Sequence, residues 1–395
     1  MKHWYKSSMF FIKMETFWSQ DMHLPFHRDL PETMWLQRPF GNVSSLCIKL
    51  QHKSTVSIEY IRIFKSVSGN APSLPQTTAM ESWEWGGNVT LMTEFVLVGF
   101  TTVPRLQVTF FMLFLFSYIL TLMGNVSLMT LIFLESRLHT PMYFFVGNLS
   151  FLDMWYSTVY IPRILTDCMS KSNVISYAGC AAQFFFSTCL CFTECYLLAA
   201  MAYDRYAAIC NPLLYSSTMT RKFCIQLVAG SYVAGFANAI THTGNTFRLH
   251  FCGDNRINHF FCDVPPLMKM ACENTQGYQL ILAAAVGSNV VATTTLILGS
   301  YTGIVVAILR IRSASGRHKA FSTCSAHLIS VSLFYGSLLF MYLQPSSLHT
   351  PDRDKVTALF CTVVNPLVNP MIYSLRNKDV KDAFRTAVRR TIAPG

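Results

Sequence analysis

Charge is what this chain has least of. Only 13% of its 395 residues are Asp, Glu, Lys or Arg, while 52% are hydrophobic; a soluble domain carries about 25% charge. That excludes a soluble globular domain over most of the length. The net charge of +11 raises the question of nucleic acid. The basic residues form no run, however, and the apolar segments leave no soluble domain to present a basic face. No nucleic-acid partner is expected. The chain also lacks a His/Cys cluster with metal-ligand spacing, a glycine-rich loop that would cradle phosphate, and a compelling Ser/His/Asp arrangement. The eleven histidines are scattered, with His139, His259 and His318 in loops. No enzyme is expected. Internal repeats, common in transporters, are absent too, which leaves a transporter or channel as a remote alternative.

Long apolar runs are what the chain has in quantity. A spanning helix needs about 20 largely apolar residues. Seven segments qualify, at about 106–134, 142–165, 178–210, 223–246, 277–309, 320–343 and 356–375. The second carries Asp153 and Arg163; the third carries Glu194, Asp204 and Arg205. The expected fold is an all-α membrane protein, a seven-transmembrane helix bundle. Seven crossings put the termini on opposite sides. Basic residues in short connections mark the cytoplasmic side. They concentrate on the side of Arg137, Arg221, Lys222, Arg317 and Lys319, so the N terminus is expected outside, in the plasma membrane. Beyond the seventh segment, residues 378–390 interleave basic residues with Val380, Ala383, Phe384 and Val388. That spacing suits a short amphipathic C-terminal helix lying on an anionic inner leaflet.

Residues 1–79 differ from the rest. They mix charge, Pro, Ser and Trp with no sustained period, and are expected to be disordered or absent from the working protein, with Met80 an alternative start. The membrane-spanning part is then 80–390. Asn88-Val89-Thr90 is a glycosylation sequon on the expected outer side. The sequons at Asn125 and Asn148 lie inside apolar segments, out of reach of that modification. Of thirteen cysteines, most sit in apolar segments as small buried hydrophobes. Cys180, Cys252, Cys262 and Cys272 fall in polar connections and are disulfide candidates. The sequence alone does not choose their pairing.

Charges at bilayer depth are costly and mark functional sites. Asp204 and Arg205, followed by Tyr206, end the third segment at the expected cytoplasmic edge. From Cys180 to Arg205 a helix covers about 37 Å, so the two lie at opposite faces of one bilayer. Asp153 and Glu194 are carboxyls near mid-membrane that could share a proton or hold a cation such as sodium, with Asn125 and Asn369 at similar depth. Pro366 and Pro370 interrupt the seventh segment, each removing a backbone donor, and mark a hinge around Asn369 and Pro370. On the third segment Thr188, Cys191, Phe192 and Cys195 share one helical face; Tyr335, Leu339 and Tyr342 do so on the sixth. Both faces are expected to line a mostly apolar outer cavity suited to small ligands.

Spaced motifs carry a resemblance. Leu138-His139-Thr140-Pro141-Met142-Tyr143, Leu149-Ser150-Phe151-Leu152-Asp153, Met201-Ala202-Tyr203-Asp204-Arg205-Tyr206, Lys319-Ala320-Phe321-Ser322-Thr323-Cys324 and Asn369-Pro370-Met371-Ile372-Tyr373 occur in this order. From Met80 to about Arg390 the chain resembles the olfactory receptors, a branch of the rhodopsin-like G-protein-coupled receptors. The resemblance implies pairs Cys180–Cys262 and Cys252–Cys272. It implies a switch at Asp204 and Arg205 toward which Tyr301 and Tyr373 swing, and a resting sodium ion among Asp153, Glu194 and Asn369. It places a small volatile odorant near Thr188, Cys191, Phe192, Asn289, Leu339, Tyr342 and Thr362. A stimulatory heterotrimeric G protein raising cyclic AMP is the implied partner; a receptor for an endogenous metabolite is the alternative. Tyr232 stands where the family usually has Trp, and Ala207 where it usually has Val. Members of the family begin shortly before the sequon, which implies that residues 1–79 come from an over-extended gene model.

Overall fold

A computed structural model describes residues 92–392 apart from 102, 171–172, 273–274, 343–350 and 376. Residues 1–79, the Asn88 sequon and the side chains of Tyr342 and Val388 lie outside the described residues. Seven long helices form a bundle: α1 (Pro104–Leu134), α2 (Pro141–Met169), α3 (Tyr177–Cys210), α4 (Arg221–Thr246), α5 (Gln276–Arg310), α6 (Ala314–Tyr342) and α7, which runs in three pieces, Pro351–Leu359, Phe360–Val364 and Asn365–Leu375. A further helix, α8 (Lys378–Ile392), follows. In hydrocarbon each backbone donor and acceptor must be satisfied within its own segment, which is why apolar runs of this length become helices. Their starts are chemically marked. Proline opens α1 and α2, where its missing N–H costs nothing. The side chains of Ser176 and Thr220 cap α3 and α4 by accepting from Gly179 N and Phe223 N.

Six of the seven are long and apolar enough to cross a membrane by composition; α2 is not among them. The difference is physical. α2 buries Asn148, Ser150, Asp153 and Ser157 in the bundle, so its polar residues face protein and not lipid. α3 lies at the centre, with 61% of its apolar window buried, against 17% for α1 and for α5. The outward faces of those two are apolar, with Met112, Phe116 and Met123 on α1 and Ile281, Val291 and Leu298 on α5 all exposed. So large an apolar belt would be a liability in water and is the expected surface in lipid. Helices approach closely where a side chain is missing. A Cβ on Gly235 of α4 would stand 2.1 Å from Thr193 Oγ1 and 2.7 Å from the Cys189 carbonyl of α3. Small residues at such contacts let membrane helices pack by van der Waals fit.

The end of the bundle bearing Cys180 is covered by structure that the apolar pattern does not reveal. Strands β1 (Glu94–Leu97), β2 (Val174–Ser176) and β3 (Arg256–Ile257) form one small sheet in the order β2-β1-β3. β1 is antiparallel to β2 and parallel to β3. Phe95, Leu97, Phe184, Phe251, Ile257 and Leu267 form an apolar cluster under it. Cys180 is disulfide-bonded to Cys262, with Cα atoms 5.6 Å apart, and Cys252 to Cys272 at 5.2 Å. At the other end α6 begins at Ala314, several residues before the apolar run, because helix continues through the polar stretch around Arg317. In α8, Val380 and Ala383 are buried against the bundle and Phe384 is exposed.

Candidate functional site

Three groups of functional side chains lie along α3. Midway, the Asp153 carboxylate of α2 accepts both Asn369 Nδ2 contacts, at 3.2 and 3.1 Å. Asn369 Oδ1 in turn accepts from Ser330 Oγ of α6 at 2.9 Å. Glu194 is buried, and its Oε1 has no hydrogen-bond partner among the described residues. Asn125 of α1 also serves α7. Its Nδ2 donates to the Pro366 carbonyl at 3.0 Å. Pro370 has no N–H for the carbonyl four residues back, which is that of Pro366, so Asn125 supplies the donor that the interrupted α7 lacks. The preceding residue, Gly124, makes this approach possible: a Cβ there would lie 3.1 Å from Pro370 Cγ. The five-residue π segment Phe360–Val364 sits just before Pro366. Such segments recur at functional sites in membrane and soluble helices alike.

At the far end of α3, Asp204 and Arg205 are both buried. Arg205 Nε donates to Asp204 Oδ2 at 2.9 Å, and its NH2 closes a second bond to the same oxygen. Asp204 Oδ1 accepts from the Tyr215 hydroxyl at 2.7 Å. A carboxylate and guanidinium buried together need every such bond, because a lost partner leaves an uncompensated charge. Tyr206 packs its ring against α5, where a Cβ on Gly303 would lie 2.6 Å from Tyr206 Cε2. Tyr301 of α5 does not reach Arg205 in this state. Its hydroxyl is 2.8 Å from His327 Nδ1, and His327 Nε2 lies 3.1 Å from the Leu198 carbonyl. Tyr373 is buried, and its hydroxyl has no hydrogen-bond partner among the described residues. Sequence reasoning left out His327, Ser330 and Tyr215 as working residues. The first two lie in α6, whose apolar run gives no sign of which polar side chain points inward.

A cavity of about 610 Å³ opens on the Cys180 side of this core. Thr188, Cys191, Phe192, Leu339 and Thr362 line it. Two expected members are elsewhere. Asn289 turns away, donating to Asn238 Oδ1 at 3.1 Å and accepting from the Tyr196 hydroxyl, so it ties α5 to α4 and α3. Tyr335 lies beneath the cavity, its hydroxyl bonded to Thr293 Oγ1 at 2.8 Å. In both cases an available hydrogen bond within the bundle, where water is absent, decides the direction of a polar side chain. Lining residues that the sequence did not single out include Tyr156 and Tyr160 of α2 and His242 of α4.

The connection between α4 and α5 roofs the cavity. Phe261 packs edge-on against Tyr160, with ring centroids 4.7 Å apart. Gln183 of α3 accepts from Cys262 N at 3.1 Å, beside the disulfide. Asp263 lines the cavity and accepts from Val264 N at 2.8 Å, capping the short helix Val264–Lys269. Burial raises its carboxyl from 3.8 to about 6, opposed by the Val264 N–H and reinforced by Asp354. His259 is buried against Phe260 and Phe261. Burial, with Lys355 nearby, lowers its imidazole to about 3, so it is neutral.

Seven apolar helices with a buried acidic-basic pair at one end of α3 and a roofed cavity at the other make a multi-pass membrane bundle. The crystal structure of squid rhodopsin superimposes with a TM-score of 0.59 at 17% identity, covering 72% of this chain and 81% of that one; it supports the fold. The family described as olfactory receptor matches residues 114–390. Olfactory receptor 9G4 of Homo sapiens is 63% identical over 308 residues, 78% of this chain and 94% of that protein. Olfactory receptor 9G19 of Mus musculus is 56% identical over 302 residues, 76% of this chain and 99% of that protein. The chain belongs to the olfactory receptor family, and it is a receptor and not an enzyme.

Proposed function

We propose that this receptor binds small, volatile, mostly apolar odorants in the cavity beside Thr188, Cys191 and Phe192, and that binding releases the Asp204–Arg205 pair to a stimulatory heterotrimeric G protein, raising cyclic AMP. The observation that carries this reading is the separation of the two sites on one helix. The cavity reaches Cys195, whereas the buried pair lies at Asp204 and Arg205, further along α3. A ligand acts across that distance only by binding one bundle arrangement better than another. About ten heavy atoms at about 0.3–0.5 kcal/mol each give about 3–5 kcal/mol of total binding, an upper bound on that difference, so the two arrangements lie within a few kcal/mol of each other in this reading. Asn369, Pro370 and the π segment of α7 form the hinge in this reading.

The basic connections support a cytoplasmic Arg205 end with the disulfides outside; in this reading the receptor sits in the plasma membrane with Asn88 available for glycosylation. The Asp153 and Glu194 carboxylates with Asn369 fit a sodium ion in the resting state. The unpartnered Glu194 Oε1 supports that fit, and the ion would supply positive charge between two buried acids. The experiment is a cyclic AMP reporter in cells given an odorant panel, wild type beside Arg205→Ala at matched surface level. The wild type is expected to respond and the variant to be silent; equal responses would refute the switch.

A further inference from the structure

The odorant reading leaves open what polar chemistry the cavity recognises, and the inference here rests on that reading. His242 is 3% exposed, yet neither ring nitrogen has a hydrogen-bond partner among the described residues. The open space beside the ring is the cavity that His242 lines. The imidazole lies flat on Phe192 of α3, with centroids 5.3 Å apart and planes 5° apart, so its orientation is set by stacking. Thr188 lies one turn before Phe192 on the same face of α3 and also lines the cavity. Its hydroxyl likewise has no partner among the described residues. The Ser187 and Thr362 hydroxyls of the cavity are committed: Ser187 Oγ donates to the Phe184 carbonyl and Thr362 Oγ1 to the Ala358 carbonyl, both at 2.9 Å.

A buried imidazole with neither nitrogen bonded carries a desolvation cost that nothing in the chain recovers. A neutral imidazole offers one donor and one acceptor, and a threonine hydroxyl offers both. The charged groups on the lining, Asp263 and Lys269, belong to the roof, and Lys269 is exposed. We infer that His242 and Thr188 form a polar anchor where α3 meets α4, selecting neutral ligands that carry a hydrogen-bonding oxygen on an apolar body: aldehydes, ketones and alcohols over the matching hydrocarbons. His242 determines specificity within the cavity and has no part in the switch.

The test uses the full chain in reporter cells with matched probes: octane against octanal and octanol, and limonene against carvone. Surface level is measured for each variant. The oxygenated probes are expected to activate the wild type and the hydrocarbons to be weaker. His242→Phe keeps a ring against Phe192 but removes both nitrogens, and should raise the half-maximal concentration for oxygenated probes about tenfold, one net hydrogen bond. Thr188→Val, of near-equal size, should raise it by a similar factor, and His242→Gln should restore part of the loss. A wild type that responds while both His242→Phe and Thr188→Val respond with unchanged potency overturns the anchor alone. A wild type silent to every probe while a constitutive signal confirms coupling overturns the odorant reading, and the anchor with it.

Discussion

The two ends of α3 are built on opposite principles. At the Cys180 end, two disulfides and a three-stranded sheet hold a roof over open space. At the Arg205 end there is no such staple among the described residues. Asp204, Arg205 and Tyr215 hold one another by charge-assisted hydrogen bonds, and Leu197, Leu198 and Met201 are fully buried just before them. A covalent roof keeps a cavity in shape whether or not it is filled. An ion pair can be exchanged for another partner at modest cost. One end is thus suited to recognition and the other to switching.

The sharpest way to break this comparison is to cut the roof. Cys180→Ser should abolish surface expression, because removing a disulfide of this kind costs about 2–5 kcal/mol. Normal surface staining in flow cytometry would count against the roof as a structural element. Cys252→Ser should cost about 1 kcal/mol less, since the bond closes 20 residues instead of 82 and loop entropy grows with the logarithm of length.

Loosening the other end should change signalling and leave expression alone. Tyr215→Phe removes the hydroxyl that Asp204 Oδ1 accepts, worth about 1 kcal/mol. Ligand-free cyclic AMP at matched surface level should rise about fivefold. If the basal level stays unchanged, Tyr215 does not hold the resting state.

The smallest effect belongs to Asp263. Its folded-state value of about 6 lies above the ordinary 3.8. The stabilisation therefore belongs to the protonated form, present in full below about 3.9 and lost as pH rises through 6. Asp263→Asn retains a capping side chain and should stabilise the receptor at neutral pH by about 1–2 kcal/mol after allowance for solvent screening. Its thermal unfolding should also vary less between pH 4 and 7 than that of the wild type. A variant as pH-sensitive as the wild type would mean that another group titrates there.

Much of this architecture was legible before any coordinates. Apolar run length located all seven spans, α2 among them even though Asp153 and Arg163 interrupt it; by composition alone the other six are the clear crossings. Asp204 and Arg205 stood out because charge is rare in such a chain. Harder to read were the directions of single side chains. Leu339 faces the cavity while Tyr335, on the same expected face, bonds to Thr293. Asn289 looked like a ligand contact and serves the seam with Asn238. That Asn125 also supplies the donor missing from the interrupted α7 was not legible either. The three-stranded sheet was missed because its strands are two to four residues long, too short for alternation to register.

The physical reason is the solvent. In water a helix announces its inner face by contrast with a polar outer one. In lipid both faces are apolar, so composition establishes how many rods cross and roughly where each begins. It also marks the few charges that must turn inward. How far each rod is rotated about its axis is set by contacts between neighbours, such as Gly235 against Thr193, and by which carbonyl lacks a donor. Those are pairwise facts between distant parts of the chain, and only the assembled bundle decides them.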